Sequence, residues 1–93
     1  MSIYLVTYDL NQPGQNYDNL FNALKGITSD YRRPLKSLWL LNTSLSAEGI
    51  YRRISGHIDS NDTLLISNFD TDRQGWISKD DWAWINSRVR AAA

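Results

Sequence analysis

The alternation of apolar and polar positions divides the first third of the chain into a strand, a turn and a helix. Residues 3–8 are β-branched and aromatic, which predicts a buried strand. Residues 9–14 are rich in turn-forming side chains. The apolar residues that follow recur at three- and four-residue spacing, as on one face of a helix. They are Tyr17, Leu20, Phe21, Leu24 and Ile27.

The middle of the chain predicts a hairpin, a second helix and a further strand. Residues 31–43 form a β region with a corner at Lys36-Ser37, and Pro34 must lie at an edge, bend or bulge because it lacks an N–H. Ser46 is the predicted N-cap of the second helix. Its apolar stripe is Ala47, Ile50, Tyr51, Ile54 and Ile58. Residues 63–69 are predicted to form a strand after a turn over residues 59–62.

A final helix is predicted to open at Ser78, with Trp82, Ile85 and Val89 on its apolar stripe. Trp84 lies two positions from Trp82, so we expect it to face away from the core and to cover a subunit contact. The last three alanines, residues 91–93, are expected to fray.

The element order β-α-β-β-α-β, followed by a terminal helix, predicts an α+β fold. It is typical of a ferredoxin-like sandwich, in which one four-stranded sheet carries two helices on one face. A length of 93 residues allows one small domain. We therefore predict a single domain over residues 1–93, with residues 72–93 as a C-terminal extension that contains the final helix.

Composition narrows the classes of function. The chain has no cysteine, which excludes a disulfide framework and thiolate chemistry. Its formal net charge is zero, which argues against a general polyanion binder. The first 56 residues carry six basic and four acidic side chains, whereas the rest carry four and six. The apolar runs are too short to cross a bilayer and the N-terminus lacks a basic start, so we expect a cytoplasmic protein without membrane association.

Three segments resemble a known family. They are Tyr4-Leu-Val-Thr-Tyr-Asp-Leu-Asn11, Ser37-Leu-Trp-Leu-Leu41 and Asn61-Asp-Thr-Leu-Leu-Ile66. Over residues 3–69 they resemble the small CRISPR-associated endoribonucleases, the short dimeric partners of the spacer integrase. The resemblance implies a homodimer in antiviral defence. It also implies that Asp9 of each protomer, at the end of the first strand, faces its mate and holds Mg²⁺ or Mn²⁺ for phosphodiester cleavage.

A second resemblance covers nearly the whole chain. Pro13-Gly14, Asp59-Ser-Asn-Asp62, Gly75-Trp76 and Trp82-Ala-Trp84, together with the first motif, resemble a group of short bacterial proteins often labelled SinR-like. That resemblance implies a family without implying an activity, and no helix-turn-helix pattern is visible in the sequence.

The candidate site residues also have structural interpretations. Asp9 is either half of a metal site shared by two protomers or a turn residue after a strand, and Asn11 is either a second oxygen ligand or another turn residue. The basic side chains are either contacts to the phosphates of RNA or DNA or solvated surface charges. These basic residues are Arg32, Arg33, Lys36, Arg52 and Arg53.

Residues 70–81 resemble an EF-hand calcium loop, with Asp70 at loop position 1 and Asp81 at position 12. Two features argue against Ca²⁺ there. The preceding segment is predicted to be a strand instead of a helix, and the aspartate at position 12 has a shorter arm than glutamate. We therefore favour a polar turn that leads into a helix with an acidic first turn.

The alternative function is a non-enzymatic protein-interaction and dimerisation module of the same fold. The first helix carries only Lys25 where the nuclease family carries several arginines, and Trp39 replaces a phenylalanine of that family. In this alternative the chain dimerises through an edge strand and presents Trp76 and Trp84 to a protein partner.

Overall fold

The computed structural model describes residues 1–10, 17–70 and 72–89. The elements in these ranges are β1 (Ser2–Asp9), α1 (Asp18–Ile27), β2 (Tyr31–Leu35), β3 (Leu38–Thr43), α2 (Ala47–Ile54), β4 (Thr63–Asn68) and α3 (Lys79–Arg88). The predicted α+β class is confirmed, with one four-stranded sheet and three helices. The predicted turn beyond residue 10, including Asn11, and the predicted fraying over residues 91–93 lie outside the described residues.

The four strands form an antiparallel sheet in the order β2-β3-β1-β4. The central strands are therefore β1 and β3, and the edges are β2 and β4. Pro34 lies in the edge strand β2, where the pairing with β3 shifts register between Arg32 and Leu35. This confirms the expectation for Pro34, because an edge strand tolerates a residue without an N–H. Lys36 and Ser37 form the predicted hairpin turn.

The first face of the sheet packs against α1 and α2. The side chains of Tyr4, Val6 and Tyr8 alternate along β1 onto this face, as the two-residue period of a strand requires. Fully buried residues that join them are Leu20, Leu24, Trp39, Leu41, Ile50 and Ile54. The indole of Trp39 donates from Nε1 to Tyr8 Oη at 3.0 Å, so its buried N–H is paired.

The second face of the sheet packs against α3. Ile3 and Leu5 of β1 point to this side, and Ile3 is buried with the α3 residue Ile85. This cover was not predicted, because two helices were expected on one face and the terminal helix was assigned to neither face. The same face remains open along β4, where Thr63, Leu65 and Ser67 are exposed.

Serine side chains begin two of the helices. The Ser46 hydroxyl accepts from the Gly49 N–H at 3.1 Å, which confirms the predicted N-cap of α2. Ser78 caps α3 in the same way, accepting from the Asp81 N–H at 3.1 Å. Within the described ranges, no helix has both the length and the apolar character needed to cross a bilayer.

Candidate functional site

Asp9 ends the central strand β1 on the open part of the second face. It shares this side with Thr7, and it lies opposite Thr63 in the register with β4. A shallow depression of about 170 Å³ surrounds it, lined by β1 and β4 residues that include the exposed Leu65. Within the described residues, the exposed Asp9 side chain makes no hydrogen bond and no ion pair. The carboxylate is therefore available to a ligand.

Among the described residues that line this depression, Asp9 supplies the one carboxylate. Among the described residues, no three Asp, Glu, His or Cys side chains come together as a metal-binding group. Mg²⁺ commonly takes one or two protein carboxylates and keeps several waters. Asp9 offers one such carboxylate, and no second carboxylate lines the depression among the described residues.

The basic residues of the β2–β3 hairpin lie on different sides of the sheet. Arg32 reaches across the second face to α3, where its Nη1 lies 3.6 Å from Asp81 Oδ1. Arg33 lies on the first face, with its guanidinium 4.7 Å from the ring centre of Phe21, and it donates to the Lys36 carbonyl. The Lys36 side chain is exposed at the turn. The hairpin therefore carries positive charge on both faces of the sheet.

Arg52 and Arg53 belong to the other side of the molecule, because α2 packs beside the edge strand β4. Arg52 forms an exposed ion pair with Glu48 one helical turn earlier, at 2.8 Å. Arg53 is exposed. The structure thus places the five predicted phosphate-binding residues in two groups, one at each edge of the sheet.

The first and last acidic residues of the calcium-like loop have partners within the chain. The Asp70 carboxylate accepts from the Ile3 N–H at 3.1 Å. Asp81 lies in the first turn of α3 and faces Arg32. The segment before the loop is the strand β4, as the sequence predicted, and an EF-hand would need an entering helix there.

Asp30 is the charged residue that sequence reasoning missed. It lies between α1 and β2, and its carboxylate accepts from Arg88 Nε at 2.6 Å, Trp84 Nε1 at 2.9 Å and Asn42 Nδ2 at 2.9 Å. The hydrogen bond from Arg88 is the largest cause that lowers the pKa of Asp30 to about 2. The network ties α3 to the sheet and to the end of α1.

The expectation that Trp84 faces away from the core and covers a subunit contact was wrong. Its side chain is buried against the second face, and the Arg88 guanidinium lies 4.5 Å from its ring centre. The physical reason is the orientation of α3, which turns Trp84 and Ile85 together onto the sheet. A signal for this was present, because residues 84, 85, 88 and 89 have the spacing of one helix face.

Trp76 is fully exposed, at the rim of an apolar groove on the second face. The groove has a volume of about 220 Å³ and lies between the β2–β3 hairpin and the segment that leads into α3. Residues that line it include Leu35, Leu38, Phe69, Trp82 and Ile85. Of the two tryptophans expected to meet a partner, Trp76 alone is accessible.

Comparison with known proteins found no match for this chain. The chain matches no protein-family model, no curated protein and no solved structure. The features that bear on function are therefore those of the chain itself: the exposed Asp9, the two basic groups, the apolar groove beside Trp76, and the open edge of β4.

Proposed function

We propose that the chain forms a ferredoxin-like homodimer that binds nucleic acid and cleaves phosphodiester bonds with Mg²⁺ or Mn²⁺ held between two copies of Asp9. The observation that carries this proposal is the placement of Asp9, an exposed carboxylate at the end of the central strand with no partner among the described residues. The strand order β2-β3-β1-β4 and the packing of α1 and α2 on one face support the ferredoxin-like assignment.

The second copy would lie against the open part of the second face. Leu65 is 60% exposed there, on the same side of the sheet as Asp9 and Thr63. The exposed apolar side chain favours contact between identical surfaces, because a two-fold axis can place each patch on its own copy, and an ion held between the two Asp9 carboxylates would offset their repulsion. Such a contact would supply the second carboxylate that one chain lacks.

The chemistry follows from the donor set. When bound, a divalent ion supplies neutralisation of phosphate charge and lowers the pKa of water. Asp9 contributes a hard oxygen ligand at an accessible position, as a polymeric substrate requires. Lys36 and Arg53 are exposed and free to approach a phosphate backbone, whereas Arg32, Arg33 and Arg52 would exchange internal contacts for phosphate contacts. In this proposal the protein works in the cytoplasm, where RNA and DNA are accessible.

The direct test is Asp9→Asn in a metal-dependent cleavage assay on single- and double-stranded RNA and DNA. We expect wild-type cleavage to require Mg²⁺ or Mn²⁺ and the variant to fall to the background of the metal-free reaction, because the amide lacks the charge that holds the ion. Asp72→Asn, which changes an exposed aspartate outside the strands, is the matched control and should retain activity. Cleavage by Asp9→Asn at the wild-type rate would refute the metal site.

The second candidate is a protein-interaction and dimerisation module without catalysis. The exposure of Trp76 at the rim of an apolar groove favours it, because a large aromatic side chain in water is typical of a binding surface. Gel shifts with RNA and DNA, run beside the cleavage assay, separate the two functions. Neither binding nor cleavage would select the interaction module.

A further inference from the structure

The two edges of the sheet differ in how they resist pairing with another strand. The β2 edge carries Arg32, Arg33 and Pro34 and a shift of register, all of which discourage edge pairing. The β4 edge, Thr63–Asn68, contains no charged residue and no proline. It pairs with β1 without a break in register from Thr63 to Asn68. β4 is therefore a regular edge without the usual protection.

The backbone groups that β4 turns outward follow from its pairing with β1. The Phe69 N–H donates to the Ile3 carbonyl at 2.8 Å. This hydrogen bond identifies which residues along β4 direct their backbone groups toward β1. Because the direction of backbone groups alternates along a strand, Leu64, Ile66 and Asn68 point their N–H and C=O groups away from β1. Among the described residues, no further strand lies beyond this edge.

A cleft lies beside this edge on the first face of the sheet. It has a volume of about 270 Å³ and is formed by α2 and β4. Tyr51 projects into it from α2 and is 54% exposed, and Leu64 and Ile66 form its floor. The cleft continues toward Ile58 as a second depression that shares Tyr51 and Leu64. An open edge strand with an apolar cleft between it and a helix is an arrangement that accepts an added strand.

The charge along this edge indicates the charge of the segment that would bind there. The charged side chains that line the depressions along β4 are Asp9, Glu48, Asp59 and Asp62. All four are acidic, and Glu48 forms an exposed ion pair with Arg52. Pairing of β4 with β4 of a second copy would bring the acidic side chains of the two edges together. It would also set one concave cleft against another. A basic segment that carries a projecting apolar side chain matches both the charge and the shape.

We propose that β4 binds an extended, basic polypeptide segment by strand addition. The backbone of the segment pairs with the outward groups of Leu64, Ile66 and Asn68. One of its apolar side chains enters the cleft beside Tyr51, and its basic side chains face the acidic rim. The cleft that receives the apolar side chain lies on the first face of the sheet, and the edge adjoins the open part of the second face at Asp9 and Leu65.

The test uses two blocked hexapeptides, one of alternating lysine and valine and one of alternating glutamate and valine. Titration calorimetry measures binding, and hydrogen exchange followed by NMR locates it. We expect the lysine peptide to bind, to slow exchange at the amides of Leu64, Ile66 and Asn68, and to bind more weakly at high salt. Tyr51→Lys should weaken its binding about tenfold, because the substitution removes an aromatic anchor and adds a like charge.

Leu35→Lys is the matched control, since Leu35 is 52% exposed on the other edge strand. It should leave the affinity for the lysine peptide unchanged. The proposal is overturned if the lysine peptide does not bind at millimolar concentration, or if the glutamate peptide binds equally well. It is also overturned if the outward amides of β4 are already protected in a free dimer that Tyr51→Lys converts to a monomer, because a second copy would then occupy the edge.

Discussion

Asp30 joins three parts of the molecule through one carboxylate. Arg88 and Trp84 reach it from α3 and Asn42 from β3, and it lies just after α1. Its pKa is about 2 in the folded chain, against an ordinary value of 3.8. A lowered pKa stabilises the fold above pH 3.8, and the stabilisation is lost as the pH falls toward 2. Because the side chain is 35% exposed, solvent screening leaves a contribution of about 1 kcal/mol.

Asp30→Asn should therefore lower the free energy of unfolding at neutral pH by about 1 kcal/mol. The difference from wild type should shrink as the pH falls through the window from 3.8 to about 2, because the wild-type carboxyl is then protonated. Urea unfolding followed by tryptophan fluorescence at several pH values measures this. A difference that stays constant across that window would show that the charge of Asp30 does not contribute.

Roles that depend on neighbouring residues in the chain could be predicted from the sequence. Roles that depend on contacts between residues far apart in the chain could not. Ser46 was predicted as an N-cap because the cap bonds a residue three positions away. The role of Asp30 depends on Arg88, which is far along the chain. The side of α3 that meets the sheet depends on tertiary packing, so Trp84 was predicted to cover a subunit contact, whereas it is buried and donates to Asp30.

Among the secondary-structure elements, α3 covers the second face of the sheet and contributes buried side chains to it. Ile85 is fully buried against the second face with Ile3 and Leu40. The strands carried a hint of this cover, because β1 and β3 have apolar residues in consecutive positions instead of strict alternation. Such strands are typical of a sheet that is covered on both faces. Two helices were predicted on one face, and this feature was not used to place the terminal helix.

Ile85→Ala should lower the free energy of unfolding by about 2–5 kcal/mol, the range for truncating a buried isoleucine. The loss combines the transfer of the side chain with the cavity that remains beneath α3. Urea denaturation at neutral pH measures it, and Asn86→Ala, at the next, exposed position of α3, is the control. A change below about 0.5 kcal/mol in Ile85→Ala, as for an ordinary surface substitution, would mean that α3 is only loosely attached.

For the whole molecule, the described surface divides into regions with different chemistry. The first face is closed by α1 and α2, and the second is closed by α3 over Ile3 and Leu40. The remaining part of the second face contains Asp9 and Leu65. The sequence indicated the strand that ends at Asp9, because β-branched and aromatic residues mark it. It could not indicate the exposure of Leu65, because that depends on how far α3 extends across the sheet.

Leu65→Lys tests the dimer that the shared Asp9 site requires. In a two-fold contact through the open part of the second face, the substitution places like charges near each other and removes apolar contact, so we expect a monomer. Light scattering at micromolar concentration measures the change, and circular dichroism should show that the fold is retained because Leu65 is exposed. Leu35→Lys and Tyr51→Lys, which alter exposed residues elsewhere, should remain dimeric. If Leu65→Lys stays a dimer, or if wild type is already a monomer, the two Asp9 carboxylates do not meet across this face and the shared metal site is refuted.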